Sequence, residues 1–300
     1  MDKKNKSATV GTAIVGTATV GGTKKKVIRT SLTLGAFVLF VLYMIPFVLV
    51  LINSFKRKVN IIKFPLKLVD DMGPQFVNYK NAFIDMNFFQ AFFNSLFVTA
   101  LSITALIFFS SMCAYILVRR DYAACKISYL LLISYMVVPF QVIMLPVLAI
   151  YGGGLGLLNS RLVLVVMNFA YGTGFATFLC HGFIKTGIPI SLEEAAYIDG
   201  AGPMYTFWKV VFPLLKPILA TNMILQTLGL WNDYLLPSLV LTRERLYTLP
   251  IAIRTFVGTF TSDFGLMMAA LVMCVAPIII LFIFLQKYIV GGIVSGAVKA

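Results

Sequence analysis

Hydrophobic residues occur along this chain in long runs that are separated by short polar or charged segments. The runs are about 20 residues long, the length that an α-helix needs to cross the hydrocarbon core of a bilayer. They predict six spans, at residues 31–53, 93–118, 127–150, 162–184, 218–240 and 266–287. The predicted fold class is an all-α polytopic membrane protein with six transmembrane helices and a short cytoplasmic helix between spans four and five.

The segment before the first run has a different composition. Residues 1–30 are rich in Ala, Thr, Gly, Val and Lys, and glycines interrupt each short apolar stretch, so the apolar core of a cleaved signal peptide is missing. We predict a disordered, basic cytoplasmic tail over residues 1–30 and a transmembrane domain over residues 31–300. Gly16 and Gly21 have the spacing of a phosphate-binding loop, but Gly22-Thr23 replaces the required Lys-Ser/Thr. The chain is therefore expected to have no ATP site of its own.

Composition agrees with a membrane protein, since 60% of the residues are hydrophobic, 12% are charged and the mean hydropathy is +0.93. A soluble domain carries about 25% charged residues. The net charge of +14 is concentrated before the first span, at Lys3, Lys4, Lys6, Lys24, Lys25, Lys26 and Arg29. This placement fits the positive-inside rule and contact with anionic lipid headgroups, and no nucleic-acid motif accompanies it. We expect contact with the lipid bilayer and no nucleic-acid partner.

The same rule puts the N-terminus in the cytoplasm, and six spans return the C-terminus to that side. The exception is the predicted external loop 54–92, which carries Lys56, Arg57, Lys58, Lys63, Lys67 and Lys80. Longer external segments tolerate basic residues. The aromatic residues of this loop allow two interpretations: they lie at the membrane interface, or they pack on an external domain.

The middles of the predicted spans contain no Asp, Glu, Lys, Arg or His. Ion-coupled transporters usually keep such a group near the bilayer midplane. Asp233 lies near the external end of span five, and His181 at the cytoplasmic end of span four is either an interfacial hydrogen-bonding residue or a proton carrier. The cysteines lack C-x-x-C spacing, which argues against a disulfide framework or a metal site. We predict no catalytic residue, no cofactor and no metal, so the driving force must come through another subunit.

The segment from Ser191 to Pro217, between spans four and five, is charged and has helix-start signals. Ser191 and Glu194 have the spacing of a capping box, in which each side chain would bond the backbone N–H of the other. Glycines at 200 and 202 should end this helix, and Pro203 suits the first turn of a second one. The pattern predicts two short helices on the membrane surface. They either receive a soluble partner or form an amphipathic interfacial loop without one.

The sequence Glu194-Ala195-Ala196-x3-Gly200-x9-Val210-x-Phe212-Pro213 resembles the EAA motif of membrane subunits of ABC importers. Val210 and Phe212 stand where the family pattern has Ile and Leu. The carbohydrate branch, and in it the maltose-type second permease subunit, is similar in further stretches: 64–65, 78–83, 94–96, 193–201, Trp231-Asn232-Asp233, 286–292 and 296–299. The resemblance covers the chain from about residue 31 to its end.

The resemblance implies a non-enzymatic permease subunit, a binding-protein-dependent transport inner membrane component that forms half of the pathway for a sugar or oligosaccharide. The implied partners are a second permease subunit, a cytoplasmic ATP-binding-cassette ATPase dimer and an extracytoplasmic solute-binding protein. The implied location is a bacterial or archaeal cytoplasmic membrane, crossed several times, with both termini in the cytoplasm. The alternatives are a permease for a non-sugar solute, an ATP-independent secondary transporter or channel, and a membrane-embedded enzyme.

The resemblance also implies that the loop contains a coupling helix that docks in the ATPase. The residues that carry this implication are Glu193, Glu194, Ala195, Ala196, Asp199, Gly200 and Pro213.

The candidate pathway lies on span five. Asn222, Gln226, Gly229 and Asp233 recur at intervals that place them on one helical face. Their polar groups either bond sugar hydroxyls or hold helices together. Trp231 either stacks on a pyranose ring or anchors the span at the interface. The candidate pathway residues are Asn222, Gln226, Trp231, Asn232 and Asp233.

Overall fold

The computed structural model describes residues 20–257 and 263–297. These residues are helical almost throughout, and no β-strand occurs among them. Within them the α-helices are α1 Val20–Asn53, α2 Lys58–Lys63, α3 Val77–Asp85, α4 Phe88–Arg119, α5 Ala123–Ser134, α6 Phe140–Leu148, α7 Arg161–Gly187, α8 Ser191–Ile198, α9 Pro203–Thr206, α10 Phe212–Leu214, α11 Lys216–Asn232, α12 Leu235–Val240, α13 Leu249–Ala252 and α14 Phe264–Ala297. The predicted all-α class is confirmed.

Four helices in the described part of the chain are long and apolar enough to cross a membrane: α1, α4, α7 and α14. Two further helix pairs reach the same length only across a bend. The segments 123–137 and 140–154 meet at 98°, and the segments 203–214 and 216–232 meet at 72°. The described residues therefore contain four clear spans, and up to six if each bent pair counts as one.

Two predicted spans are not continuous helices, and prolines explain both breaks. Predicted span 127–150 breaks at Val138, which is extended (φ −75°, ψ 118°), because a residue that precedes proline is pushed out of the helical region. Predicted span 218–240 ends as a helix at Asn232. Pro237 has no N–H for the carbonyl four residues earlier, at Asp233, and its ring crowds that carbonyl. The chain becomes helical again at Leu235, where α12 begins.

The chain divides into two compact units, residues 1–50 and 51–300, each described here separately. In the first unit, α1 begins at Val20, so the predicted boundary at residue 31 lies inside a helix. Lys and Arg are good helix formers, and no proline interrupts the stretch from Lys24 to Arg29. Residues 1–19 of the predicted tail lie outside the described residues.

In the second unit, α4 and α7 pack along each other more extensively than any other helix pair. Small buried side chains allow this close approach, among them Ser102, Ser110, Ser111 and Ala114 on α4 and Ala176 and Thr177 on α7. Helix α7 also needs Gly174, because a Cβ there would lie 2.5 Å from the Leu132 carbonyl oxygen of α5. The α4–α7 pair is the frame on which both candidate sites are built.

The segment after α1 is held by a buried polar network. The Lys56 side chain is fully buried, and its Nζ donates to Asn53 Oδ1 at 2.9 Å and to the carbonyl oxygens of Phe64 and Pro65 at 3.1 Å. Burial lowers the pKa of the Lys56 ammonium group. A charged group that is buried yet fully hydrogen-bonded fixes the chain around it, because moving it would leave it unpaired.

Asp70 is the second centre of this network. Its carboxylate accepts hydrogen bonds from the backbone N–H groups of Arg57 (2.9 Å) and Met72 (3.1 Å) and from the side chains of Arg57 and Asn60. Burial alone raises the pKa of this carboxyl, but the hydrogen bonds to its charged form outweigh burial and hold the pKa well below its usual range. The segment is thus a folded unit.

Some aromatic residues of this segment pack within it, and Tyr79, Phe88 and Phe92 also pack on the core cluster that contains Trp231. The Phe55 ring lies 5.4 Å from that of Phe76 and 4.9 Å from that of Tyr79, between ring centroids. Phe64 is exposed. The basic loop that departs from the positive-inside rule therefore has an internal aromatic cluster, which neither sequence-based interpretation anticipated.

We expect Asp70→Asn to loosen residues 57–72, whereas the adjacent Asp71→Asn leaves them unchanged. Asp71 contacts Lys67 at the surface, where an ion pair contributes less than about 1 kcal/mol. Loss of charged hydrogen bonds at Asp70 should speed amide exchange in residues 57–72 about tenfold or more. Hydrogen-exchange mass spectrometry of the two variants measures this, and equal protection in both would contradict the role of Asp70.

The same network predicts a pH dependence. The pKa of Asp70 is lowered in the folded protein, so its contribution to stability is complete above the unfolded-state pKa of about 3.9. The contribution is lost as the pH falls through the folded-state pKa. Protection of residues 57–72, corrected for intrinsic exchange, should hold at pH 6 and fall in strong acid. Loss of protection at pH 5 to 6 would contradict this.

Candidate functional site

The chain between α7 and α11 forms two short helices joined by a tight turn. Helix α8 is followed by Gly200, which has a left-handed backbone (φ 85°), and α9 begins at Pro203. The second helix continues as a π-helical turn, Phe207–Val211, and as α10 before it bends into α11. Pro213 contributes to the wider turn because it has no N–H for the carbonyl of Lys209. The predicted pair of short helices is confirmed.

The predicted capping box at the start of α8 is wrong. The N-cap residue is Ile190, whose carbonyl accepts the N–H groups of Glu193 at 2.9 Å and Glu194 at 3.0 Å, and no side chain caps the helix. Ile190 already has helical dihedrals, and the N–H of Leu192 bonds the carbonyl of Pro189. The turn therefore starts before Ser191, whose hydroxyl lies inside the first turn instead of in front of it.

The end of α8 is a Schellman motif. The N–H of Gly200 bonds the carbonyl of Tyr197 at 3.0 Å, and the N–H of Ala201 bonds the carbonyl of Ala196 at 2.9 Å. A Cβ on Gly200 would meet open space. Glycine is needed here for the positive φ, since an L side chain at that angle is strained.

Glu193 points into the protein. Its residue is 2% exposed, and its carboxylate accepts a hydrogen bond from Arg119 Nε at 2.7 Å and one from the Tyr115 hydroxyl at 2.8 Å. Arg119 also donates from Nη2 to the carbonyl of Ile188 at 2.9 Å. The sequence grouped Glu193 with the docking residues, but the structure makes it an internal anchor to α4.

The other predicted loop residues lie towards the outside. Glu194, Ala195, Asp199, Gly200 and Pro213 are exposed, and Ala196 is half-buried. Large apolar side chains are exposed beside them, at Leu192, Ile198, Met204 and Tyr205, and Ile198 is 87% exposed. The loop therefore presents a mixed apolar and acidic outer surface.

The inner side of the loop is apolar apart from Glu193 and Thr206. Phe207, Val211 and Leu215 are buried in one cluster with Ala114 of α4 and Ile184 of α7. Between the end of α4 and the loop lies a cavity of about 680 Å³, lined in part by Tyr115, Arg119, Arg120, Glu194, Tyr197 and Met204. The loop is thus attached to the α4–α7 frame on one side and open on the other.

Sequence reasoning missed Tyr115 and Arg119 as site residues, and treated Arg119 only as a topology signal. Two signals were available. Tyr115 and Arg119 are four residues apart, which puts them on one face of a helix. Glu193 and Glu194 are adjacent, and neighbouring helical residues point about 100° apart, so they need not share an environment.

The second candidate site is the polar face of α11. Gln226 Nε2 donates to the carbonyl of Gly172 on α7 at 3.1 Å. Gln226, Gly229 and Asp233 line a cavity of about 430 Å³, together with Asn168 and Tyr171 of α7. Three members of the predicted face therefore do meet at one cavity.

Asn222, the fourth member, is buried instead. It is 1% exposed and lies beside the Cys180 thiol, and within residues 20–257 and 263–297 neither of its amide atoms has a hydrogen-bond partner of normal geometry. An unpaired buried amide is unfavourable by about 1–3 kcal/mol. A group that formed a hydrogen bond with this amide would therefore be stabilising.

Trp231 does not line the cavity. It is buried, its Nε1 donates to the carbonyl of Cys274 on α14 at 3.2 Å, and its ring packs edge-on against Phe92 at 5.9 Å. This residue is a packing element between α4, α11 and α14, so neither the sugar-stacking nor the interfacial interpretation fits. Asn232 is exposed, and its Nδ2 donates to the carbonyl of Leu228.

His181 and a metal site are the remaining candidates for site chemistry. His181 stacks on Tyr129, with ring centroids 3.8 Å apart, which joins α7 to α5. Within the described side chains, no group of three His, Cys, Asp or Glu residues could hold a metal ion. The α8–α9 loop thus offers an exposed mixed surface, and the cavity on α11 offers hydrogen-bonding groups.

This arrangement defines a polytopic helical membrane protein with a folded helix–turn–helix loop between α7 and α11. Residues 107–294 match the family of binding-protein-dependent transport system inner membrane components, and the chain belongs to that family. The resemblance seen in the sequence is thereby confirmed, and the protein is a multi-pass membrane protein.

Curated relatives are similar over nearly their whole length. The probable starch degradation products transport system permease protein AmyC of Thermoanaerobacterium thermosulfurigenes is 38% identical over 272 residues, 89% of this chain and 96% of the relative. The melibiose/raffinose/stachyose import permease protein MelC of Bacillus subtilis is 35% identical over 268 residues, with the same coverage. A chain of a bacterial ABC transporter involved in import of the acidic polysaccharide alginate has the same fold, with a TM-score of 0.71 at 23% identity over 91% of this chain and 99% of that one.

We expect Gln226→Cys to react with a small polar thiol reagent, and Thr227→Cys not to react. Gln226 lines the cavity, whereas its neighbour Thr227 is buried on another side of α11, with its hydroxyl bonded to the Met223 carbonyl. Both are tested in a background in which Cys113, Cys125, Cys180 and Cys274 are replaced. Reaction rates are followed by mass spectrometry in the purified protein. A Gln226→Cys variant that reacts no faster than Thr227→Cys would contradict a cavity that admits polar molecules on this face only.

Proposed function

We propose that this chain is a permease subunit of an ATP-binding-cassette importer and forms half of the translocation pathway for a sugar or oligosaccharide. The names of the relatives support a carbohydrate substrate, since they include permeases for starch degradation products, for melibiose, raffinose and stachyose, and for arabinooligosaccharides. The chain works with a second permease subunit, an ATPase dimer and a solute-binding protein. It has no ATPase site of its own and is not an enzyme.

In this proposal the chain crosses the membrane six times. Four spans are α1, α4, α7 and α14. The bent pair α5–α6 supplies the fifth, and α11, which has 17 residues, supplies the sixth together with the following α12. Irregular backbone inside a membrane is tolerated where other protein segments cover it. Both termini lie in the cytoplasm of a bacterium or archaeon, with residues 1–30 as a basic tail and residues 31–300 as the permease domain. The α8–α9 loop then also faces the cytoplasm.

The observation that carries the proposal is the two-sided loop. Helix α8 is tied inward through Glu193 and turns its motif residues outward, so a soluble partner can push it without unfolding it. Glu194 and Asp199 offer charge, Ala195 and Ala196 allow close approach, and Gly200 and Pro213 shape the turns. The exposed Ile198 supplies apolar contact area. Movement of the ATPase dimer on this loop would rock the spans.

The pathway in this proposal follows the cavity on α11. Gln226 and Asp233 offer hydrogen-bonding groups for hydroxyls, and Asn168 adds one from α7. Asn222 lies one turn deeper, and its unpaired amide gains a partner when the helices rearrange around a substrate. Asn232 is exposed near the end of α11. Trp231 supports the pathway by holding α11 against α14.

A permease for a non-sugar solute is the main alternative, and an ATP-independent carrier or channel is another. Reconstitution with the partner permease, ATPase and binding protein distinguishes them. Uptake of labelled oligosaccharide that requires ATP hydrolysis is the expected result. Uptake that persists without ATP would favour a carrier or channel. ATP-dependent uptake of another solute, unaffected by competing sugars, would favour a different substrate class.

We expect Gly200→Asp to abolish coupling and Gly202→Asp to preserve it. Gly200 needs a positive φ, whereas Gly202 has φ −77° and ψ 164° and is the N-cap of α9, where aspartate is favoured. Both variants introduce the same charge. Membrane abundance should be normal for both, while ATPase co-purification or sugar uptake falls at least about tenfold for Gly200→Asp only. Wild-type uptake with full ATPase retention in Gly200→Asp would refute the proposed role of the loop.

A further inference from the structure

The ion pair between Glu193 and Arg119 joins three helices at one point. The Glu193 side chain is 3% exposed and that of Arg119 is 15% exposed. Both carboxylate oxygens have donors, at 2.7 and 2.8 Å, and the guanidinium also holds the Ile188 carbonyl at the end of α7. A buried ion pair is tolerated only when its hydrogen bonds are satisfied in this way. One guanidinium group therefore connects α4, α7 and α8.

Helix α8 has little else to hold it. Among its residues, all of which the structure describes, only Glu193 is buried. The second short helix is different, since Phe207 and Val211 anchor it in an apolar cluster. The cavity of about 680 Å³ beside Tyr115 and Arg119 leaves room for α8 to tilt if its anchor is lost. The orientation of α8 therefore depends mainly on polar contacts with the end of α4: the Glu193 carboxylate bonds Arg119 and Tyr115, and Tyr197 lies beside the Tyr115 hydroxyl.

We propose that Glu193, Arg119 and Tyr115 form a positioning joint that makes α8 and the end of α4 move as one body. This proposal rests on the proposed function, in which the loop receives the movement of the ATPase. With the joint intact, a displacement of α8 is passed to α4 and, through its long packing against α7, to the spans. With the joint broken, α8 tilts into the cavity and the displacement is absorbed in the loop.

The joint differs from the docking surface in what its loss should do. Docking needs the exposed residues of α8, and Glu193 is not one of them. Loss of the joint should leave the ATPase bound and hydrolysing ATP, but each hydrolysis event should move less sugar. The informative quantity is sugar transported per ATP hydrolysed, because a residue that only stabilises the fold changes the amount of active transporter and not this ratio.

The test uses the complete transporter in proteoliposomes. Glu193→Gln removes the charge at nearly constant shape, and Arg119→Met removes its partner. Tyr115→Phe removes the hydroxyl that contacts Glu193 and Tyr197, while the ring and the ion pair remain. Arg120→Met is the matched control, because Arg120 is the exposed neighbour of Arg119 and loses the same charge. Arg120 lines the same cavity, but none of the hydrogen bonds or ion pairs among the described residues links its side chain to α8.

We expect Glu193→Gln and Arg119→Met to keep ATPase co-purification within a factor of about two and to lower sugar transported per ATP about tenfold, within the usual range of coupling between sites. Tyr115→Phe should lower it about threefold, and Arg120→Met should not change it. The double variant Glu193→Gln/Arg119→Met should be no worse than either single one, because residues of one network are not additive.

The outcomes separate this proposal from the proposed function. If Gly200→Asp keeps full ATPase retention and uptake, the loop is not the coupling element and both proposals fall. If Gly200→Asp uncouples but Glu193→Gln and Tyr115→Phe keep the wild-type ratio, only the joint is refuted. A lower abundance of Glu193→Gln complexes that retain the wild-type ratio would also refute the joint, since the network would then serve stability alone.

Discussion

A bilayer core has no hydrogen-bond donors or acceptors, so every backbone amide inside it needs a partner within the protein. This constraint explains why the described residues are helical and where the helices are allowed to break. Pro237 leaves the Asp233 carbonyl without its helical partner, and the break that follows lies at the polar cavity of α11. Pro213 does the same to Lys209, at the loop before α11. Irregular backbone is thus placed next to the two sites at which we propose function.

The same constraint acts on side chains. Gln226 satisfies part of its amide on the Gly172 carbonyl, and Thr227 bonds back to the Met223 carbonyl in its own helix. Asn222 lacks such a partner among the described residues. In an apolar interior this is unfavourable, and the small side chains that let α4 and α7 approach each other cannot relieve it. A buried amide without such a partner on the proposed pathway face agrees with the proposal that the helices rearrange around a substrate.

In the function that we propose, the loop between α7 and α11 has to serve two needs that oppose each other. A surface gripped by a partner must be exposed and adaptable, but it must also be held firmly enough to transmit force. Helix α8 meets the first need with exposed small, acidic and apolar residues, and Glu193, its one buried residue, is its main anchor. The neighbouring π-helical turn is held by apolar packing of Phe207 and Val211. One helix is therefore anchored by a directional ion pair, and the next by contacts that are not directional.

The sequence by itself determined the helical membrane class, the family and the positions of the short loop helices, because these follow from run length, from local turn residues such as Gly200 and Pro203, and from a motif read in order along the chain. It did not determine that the break at Val138 is a sharp bend, that Glu193 points inward or that Trp231 is buried. Those depend on which residues meet across distant parts of the chain: Glu193 finds Arg119 on α4, and Trp231 finds Cys274 on α14. A helical pattern indicates that Asn222, Gln226 and Asp233 share a face. Only the packing of α7 against α11 decides that Gln226 and Asp233 line a cavity while Asn222 is buried, because burial is a property of the neighbours and not of the residue.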